Sequence, residues 1–135
     1  MTLLTWTKEQ FGTNIAKSDE EHQTIFALVN QLVDHVTSGN RQAVGKQLDA
    51  LIDFVVKHFK MEEDLMQANG YPDFAAHKAK HDELVATCAD LQKKFHAGQA
   101  EVTADTAVFV KDWLYHHIPN VDKHYGPFLN SKGVA

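Results

Sequence analysis

Side chains able to grip a metal recur at helical spacing along four stretches of the chain: His22, His58 with Glu62, His77 with His81, and His117 with Asp122. They comprise five imidazoles and two carboxylates with no thiolate among them, a donor set that suits iron as well as other first-row metals. If each carboxylate bridges two ions, and an oxo or hydroxo group bridges them as well, the donors fill all but one of the positions around two octahedral ions. Such a set fits a dinuclear centre with one vacancy on one metal, which is what a small, reversibly bound ligand needs.

Spacing decides which donors can share an ion. Residues four apart on a helix differ by about 40° in direction and rise by about 6 Å, so His58 with Glu62, and His77 with His81, can aim at one centre. His117 and Asp122 are five apart, which on a regular helix turns them roughly 140° from each other. Pro119 lies between them, has no N–H and clashes with the carbonyl four residues earlier, at Tyr115. A bulge or kink between His116 and Asp122 is therefore predicted; without it Asp122 cannot share a metal with His117.

Positioning these donors takes four amphipathic helices after an N-terminal arm, residues 1–17. Turn chemistry falls at Thr37-Ser38-Gly39-Asn40, at Asn69-Gly70-Tyr71-Pro72-Asp73 and around Ala97-Gly98-Gln99. The first helix is expected from Ser18 or Asp19 to about Thr37, where Ser18 and Glu21 resemble a capping box. Its apolar row is Ile25, Phe26, Val29, Leu32, Val33 and Val36, and His22 lies on that face. The second, roughly Arg41 to Gln67, carries Leu48, Leu51, Ile52, Val55, Phe59, Leu65 and Met66, with His58 and Glu62 among them. The third starts after Pro72 and places His77 and His81 in line with Phe74, Leu84, Val85, Cys88, Leu91 and Phe95. The fourth, from about Thr103 to His116 or beyond, brings Val108, Phe109, Val110, Trp113 and Leu114 before His117. Short connections make this an all-α, up-and-down antiparallel four-helix bundle, residues 18–130, within a single domain spanning 1–135.

Each signal alone has a plainer reading. A lone histidine on an apolar stripe is more often a hydrogen-bonded core residue than a ligand, and Glu62 beside Glu63 reads equally well as a solvated acidic face. Together the donors are harder to dismiss, because five imidazoles and two carboxylates buried on inward stripes are costly without compensation, and a pair of dications supplies it. The remaining histidines act as a control: His35, His96 and His116 fall on polar or loop-side positions and are expected to be exposed, while His124 is unassigned. Trp113 and Leu114 are also compatible with ordinary core, and Cys88 with a small buried filler.

Composition narrows the classes. At 135 residues and 44% hydrophobic content the chain can bury a core without disulfides. Eighteen acidic against thirteen basic residues give a formal charge of −5, the wrong sign for phosphate backbones, so nucleic acid is not an expected partner. One cysteine, no secretory pattern at the start and no long apolar stretch point to a cytoplasmic protein without membrane insertion. No spare long apolar face remains after the core is assigned, so a monomer is expected.

The motifs Asp19-Glu20-Glu21-His22, His58-Phe59-Lys60-Met61-Glu62, His77-Lys78-Ala79-Lys80-His81 and His117-Ile118-Pro119-Asn120-Val121-Asp122 together resemble the hemerythrin family, in its single-domain bacterial form. The similarity covers nearly the whole chain, including the Trp6 arm and the Gly70-Tyr71 turn. It implies reversible dioxygen binding at a non-haem di-iron centre with a bridging oxo or hydroxo group. His77, His81 and His117 would saturate one iron, His22 and His58 would hold the other, and Glu62 and Asp122 would bridge both. Dioxygen would take the vacancy beside His22 and His58. Phe59, Trp113, Leu114 and Ile118 flank the ligands in sequence and are expected to form the apolar wall of that pocket, keeping out water and protons.

Carrier, store and supplier to an oxygen-consuming enzyme all use the same site. An oxidase or peroxidase is the enzymatic alternative, but ferritin-like oxygen-activating sites use more carboxylates. A sensor module or an iron store are further alternatives. A zinc hydrolase has little support, since the H-E-x-x-H pattern is missing.

Overall fold

The computed structural model describes residues 2–135, and among these every regular element is helical. A short helix α1 (Lys8–Phe11) lies in the arm. Four long helices follow: α2 (Ala16–Ser38), α3 (Arg41–Ala68), α4 (Phe74–His96) and α5 (Ala104–His117). A π-helical turn (Ile118–Asp122) then leads into α6 (Lys123–Ser131). Helix α2 packs against α3 and α5, and α3 against α4, as an up-and-down four-helix bundle requires.

Local chemistry sets the helix ends. Gly39 stops α2 in the left-handed conformation (φ 74°), and its N–H is given to the Val36 carbonyl. Asn40 then caps α3 by accepting from the Ala43 N–H at 3.1 Å. Thr103 and Thr106 form a reciprocal capping box at the start of α5.

The expected capping box of Ser18 with Glu21 does not form. Helix α2 begins two residues earlier, at Ala16, with Ile15 at its N-cap and no side-chain cap bond. Ser18 is fully buried and its Oγ lies 2.7 Å from the Tyr125 hydroxyl, while Glu21 turns to His58. Both side chains found tertiary partners, and Asp19 ties down the preceding turn instead, accepting from the N–H and hydroxyl of Thr13 at 2.9 and 2.8 Å.

The arm is fastened across the bundle. Asn30 accepts from the N–H groups of Leu3 and Leu4, both at 2.8 Å, and returns a bond to the Leu4 carbonyl. Phe11 is fully buried, edge-on to Phe26 at 5.0 Å. Further along, Gly126 on α6 meets the Thr13 backbone so closely that a Cβ there would stand 2.0 Å from the Thr13 carbonyl oxygen. Only glycine allows that approach.

Two apolar clusters result. The larger fills the bundle and includes Ile25, Val55, Phe59, Leu84, Leu114 and Ile118. The smaller gathers Ile15, Met66, Tyr71, Tyr125 and Leu129, where α6 folds back on α3 and the arm. His96, His116 and His124 are exposed; His35, expected to be exposed, is half-buried. Cys88 is half-buried rather than fully so and lines a cavity described below.

Candidate metal centre

All seven donors come together in the bundle interior, none more than 2% exposed. They fall into two groups, His77, His81, His117 and Asp122 in one and His22, His58 and Glu62 in the other, with the donor atoms of each within 4.8 Å of one another. The α3 and α4 pairs lie on regular helix at four-residue spacing. The α5 pair depends on the π turn, which appears where Pro119 and the five-residue spacing predict it. The Lys123 N–H reaches back five residues to the Ile118 carbonyl, and the wider turn brings Asp122 Oδ1 to 2.9 Å from His117 Nε2. Asn120 donates its side-chain amide to the His116 carbonyl at 2.9 Å, bracing the bulge from outside.

Each carboxylate touches both groups. Asp122 Oδ1 lies 2.8 Å from His77 Nε2 and its Oδ2 lies 3.1 Å from His22 Nε2. Glu62 Oε1 is 3.0 Å from His58 Nε2 and 3.5 Å from His81 Nε2, and Oε2 is 3.7 Å from His22 Nε2. Yet His58 Nε2, Glu62 Oε1, His77 Nε2, His81 Nε2, His117 Nε2 and Asp122 Oδ1 are all buried without a hydrogen bond. Close donors that do not bond one another, aimed at common points, have the geometry of ligands around an ion: bonds of about 2.1 Å place neighbouring ligands of an octahedron about 3 Å apart. A metal pair is what the donor set fits; hydrogen bonds alone leave it unsatisfied.

The electrostatics differ from one imidazole to the next. Burial would depress His77, yet its Asp122 contact and the nearby carboxylates outweigh it, and its pKa is raised. Burial works to lower the His58 pKa, but Glu62 and Glu21, with Asp122 further off, overcome it and hold it at about 9. Burial also lowers His81, where the carboxylates of Glu62 and Asp122 are offset by His77 and His117, and it falls to about 3. Burial pushes the Glu62 and Asp122 carboxyls up, Asp122 adding to the effect at Glu62, yet the surrounding imidazoles prevail. Glu62 settles at about 2, and Asp122, beside His117, His22 and His77, lies well below the usual carboxylate range.

Aromatic rings brace the cage. Phe59 stacks on His81 with centroids 3.8 Å apart and planes 2° from parallel, Trp113 stacks on His117 at 4.2 Å, and Tyr125 faces His77 at 5.7 Å. Tyr125 also donates its hydroxyl proton to Glu62 Oε2. The carboxylate can only accept, so the Ser18 hydroxyl is left to donate to the phenol oxygen. Of the residues expected to wall the pocket, Phe59 and Trp113 thus lie against the three-histidine group. Leu114 and Ile118 are buried in the large apolar cluster, and Leu114 lines a cavity of about 60 Å³ together with Ile25, Leu51, Val55, Leu84 and Val110.

Sequence reasoning missed Tyr125, Ser18, Glu21 and Glu63 as neighbours of the cage. Glu63, read as part of a solvated face, is half-buried with Oε2 2.9 Å from His81 Nδ1. A signal for the two glutamates was present, since each adjoins a ligand in sequence; Tyr125 lies 63 residues from Glu62 and gave none.

Comparison with known proteins agrees with this geometry. Residues 13–129 match the family model described as the hemerythrin HHE cation binding domain. The chain is 63% identical over 131 residues to the bacteriohemerythrin of Methylococcus capsulatus, covering 97% of this chain and all of that one, and 34% identical to that of Stenotrophomonas maltophilia over 93% of this chain and 80% of that one. A crystal structure of wild-type hemerythrin superposes with a TM-score of 0.93 at 64% identity, over 94% of this chain and 98% of that one. Matched along nearly its whole length and carrying two adjoining His/Glu/Asp groups in a bulged four-helix bundle, the chain belongs to the hemerythrin family.

Proposed function

We propose that the two donor groups divide a pair of iron ions between them, His77, His81 and His117 on one, His22 and His58 on the other, with Glu62 and Asp122 shared and an oxo or hydroxo bridge completing the pair. The chain binds dioxygen at a di-iron centre of histidine, glutamate and aspartate ligands. The assignment of individual ligands rests on one observation: each carboxylate lies within 3.7 Å of imidazoles from both groups. When bound, the ferrous pair supplies the electrons and the single open coordination position that dioxygen requires.

The protein's own residues decide that binding is reversible. The vacancy would fall to the His22 and His58 half; Ile25, Val55, Leu84 and Leu114, one helical turn from His22, His58, His81 and His117 respectively, line the apolar cavity. The lining runs outward from buried Leu114 to exposed Phe109 and Val56. Water entering such hydrocarbon surroundings loses its hydrogen bonds, whereas dioxygen has none to lose. Leu114 in that wall, with Ile118 buried in the same apolar cluster, keeps water and external protons from the site, and Phe59 and Trp113 hold the opposite half rigid. Five imidazoles to two carboxylates favour carrying over oxygen activation.

In this reading the protein works as a monomer in the cytoplasm, carrying or storing dioxygen or supplying it to an oxygen-consuming enzyme. Two features agree: no helix among the described residues is long and apolar enough to cross a membrane, and the large hydrophobic residues left exposed are Val56, Val108 and Phe109. The test is anaerobic loading with ferrous iron, then admission and removal of oxygen. Two tightly held irons per chain and a charge-transfer band that appears and fades over repeated cycles are expected. Fewer than two irons, or a band that persists after oxygen is removed, overturns the reading.

A further inference from the structure

Two carboxylates outside the ligand set face its histidines from behind. Glu21 Oε1 lies 2.8 Å from His58 Nδ1, and Glu63 Oε2 lies 2.9 Å from His81 Nδ1. Each adjoins a cage residue on its own helix, Glu21 before His22 and Glu63 after Glu62. One step along a helix turns a side chain by about 100°, which takes both glutamates off the inward face. They reach instead to the neighbouring helix, Glu21 from α2 to α3 and Glu63 from α3 to α4. Their side chains are only 15% and 18% exposed, so bulk water competes weakly for either contact. Lys17 Nζ holds the second oxygen of Glu21 at 3.2 Å. The Nδ1 atoms of His22 and His77, by contrast, are buried with no hydrogen-bond partner.

We propose that Glu21 and Glu63 are positioning residues for the iron pair, one for each donor group. Resting on the division of ligands proposed above, each accepts the Nδ1 proton of one histidine. That fixes the tautomer which turns the Nε2 lone pair inward, holds the ring plane, and makes the imidazole a stronger donor. The two contacts also lock α2 to α3 and α3 to α4 at the height of the cage, so ligand orientation and helix register are set together.

The test compares Glu21→Ala, Glu21→Gln, Glu63→Ala and Glu63→Gln with the parent. Each is loaded anaerobically with ferrous iron and freed of excess, then challenged with a ferrous chelator. Melting of the metal-free forms and the exchangeable ring N–H resonances of the loaded forms are recorded beside it. Iron loss is expected to speed up on the order of 10–100-fold in the alanine variants. The glutamine variants, which keep an acceptor of the same reach, lose it more slowly than the alanine ones. Metal-free melting is expected to fall modestly in the alanine variants, because each contact also ties two helices, and less in the glutamine ones. The ring N–H resonance of His58 moves in Glu21→Ala and that of His81 in Glu63→Ala, a signature that a merely structural role does not produce. If an alanine variant fails to fold, its glutamine counterpart carries the comparison. Variants that release iron at the parental rate, beside a parent that keeps two irons, overturn this inference alone. A parent that keeps fewer than two overturns the di-iron assignment and this inference with it.

Discussion

The two halves of the cage are built differently. In the three-histidine half every imidazole lies against an aromatic ring: His81 against Phe59, His117 against Trp113 and His77 against Tyr125. In the other half His22 and His58 meet each other edge-on at 4.7 Å, and Phe59 lies tilted at 6.0 Å from His58; Ile25 and Val55, one turn away, line an apolar cavity to which Leu84 and Leu114, one turn from His81 and His117, also contribute. One half is walled by flat, stiff groups that leave its ligands little freedom. The other has no ring stacked on its imidazoles, and the aliphatic cavity one turn away is shared by both halves. Five chemically identical imidazoles therefore sit in two settings, three stacked on aromatic rings and two not.

The largest effect is expected from spoiling the shared cavity. Leu114→Asn places an amide in the cavity wall, where it attracts water toward the site. Autooxidation of the oxygen-bound protein should accelerate roughly tenfold, about 1.4 kcal/mol in barrier, and unfolding stability should fall by about 4 kcal/mol from lost burial and an unpaired polar group. Iron content should hold, because all seven donors and the rings stacked on His77, His81 and His117 are kept. Equal autooxidation rates in mutant and parent would remove the assignment of Leu114 to the barrier.

The stacked half depends on α6 being seated, since α6 carries Tyr125. Gly126→Ala drives a Cβ toward the Thr13 carbonyl oxygen, backbone against backbone, and should cost about 3 kcal/mol in urea unfolding, with faster iron release. A loss below about 0.5 kcal/mol, the usual range of surface changes, would mean that the arm yields freely. Tyr125→Phe is subtler: it keeps the ring facing His77 but strips the proton donor from Glu62 and leaves Ser18 unpaired. A cost of about 2 kcal/mol is expected, with the rate of oxygen uptake unchanged, as followed by stopped-flow. Slower uptake with normal iron retention would place Tyr125 on the entry side and collapse the distinction between the halves.

What could be read ahead of the structure was whatever is local or periodic. The pairs His58/Glu62 and His77/His81 follow from helical pitch alone, and the π turn was predictable because Pro119 and the five-residue gap from His117 to Asp122 are both adjacent facts. Ser18 and Glu21 show the limit. Their spacing matches a cap, yet a buried phenol and a buried imidazole compete for them, and such partners arrive only when α6 and α3 pack. Glu63 failed for the same reason, since its neighbours Glu62 and Asp64 make an acidic run whichever way the side chain points. The stripes named Ile25, Val55 and Leu114 as inward residues, but the space between them depends on how three helices meet, and no single helix contains that information. Adjacency in sequence puts Phe59 and Trp113 beside the ligands, while the stacking that sets them against His81 and His117 follows from ring orientation, which adjacency does not carry.

The last difference is between single imidazoles, His58 and His77 on one side and His81 on the other, in their demand for protons, and it gives the smallest and sharpest prediction. In the metal-free protein His58 is held at about 9, above the ordinary histidine value of 6.5. Its contribution to stability is full below 6.5 and is lost as pH rises through 9. His81 is depressed to about 3, so between 6.5 and 3 the unfolded chain takes up a proton that the folded one refuses, and stability falls as pH drops. Glu62, held at about 2, stabilises the fold above its ordinary value of 4.5 and ceases to do so as pH falls toward 2, steepening the acid side. Metal-free stability should therefore peak near pH 6.5 and decline in both directions. Iron requires His58 Nε2 without its proton, so loading removes the alkaline decline while leaving acid sensitivity, because protons then compete with the metal for every ligand. Urea unfolding across pH 5 to 9, with chelator and with bound iron, separates the two curves. A metal-free stability that stays level between 6.5 and 9 would show that neither His58, beside Glu62 and Glu21, nor His77, beside Asp122, is held protonated by its carboxylates, and that their contrast with His81 does not exist.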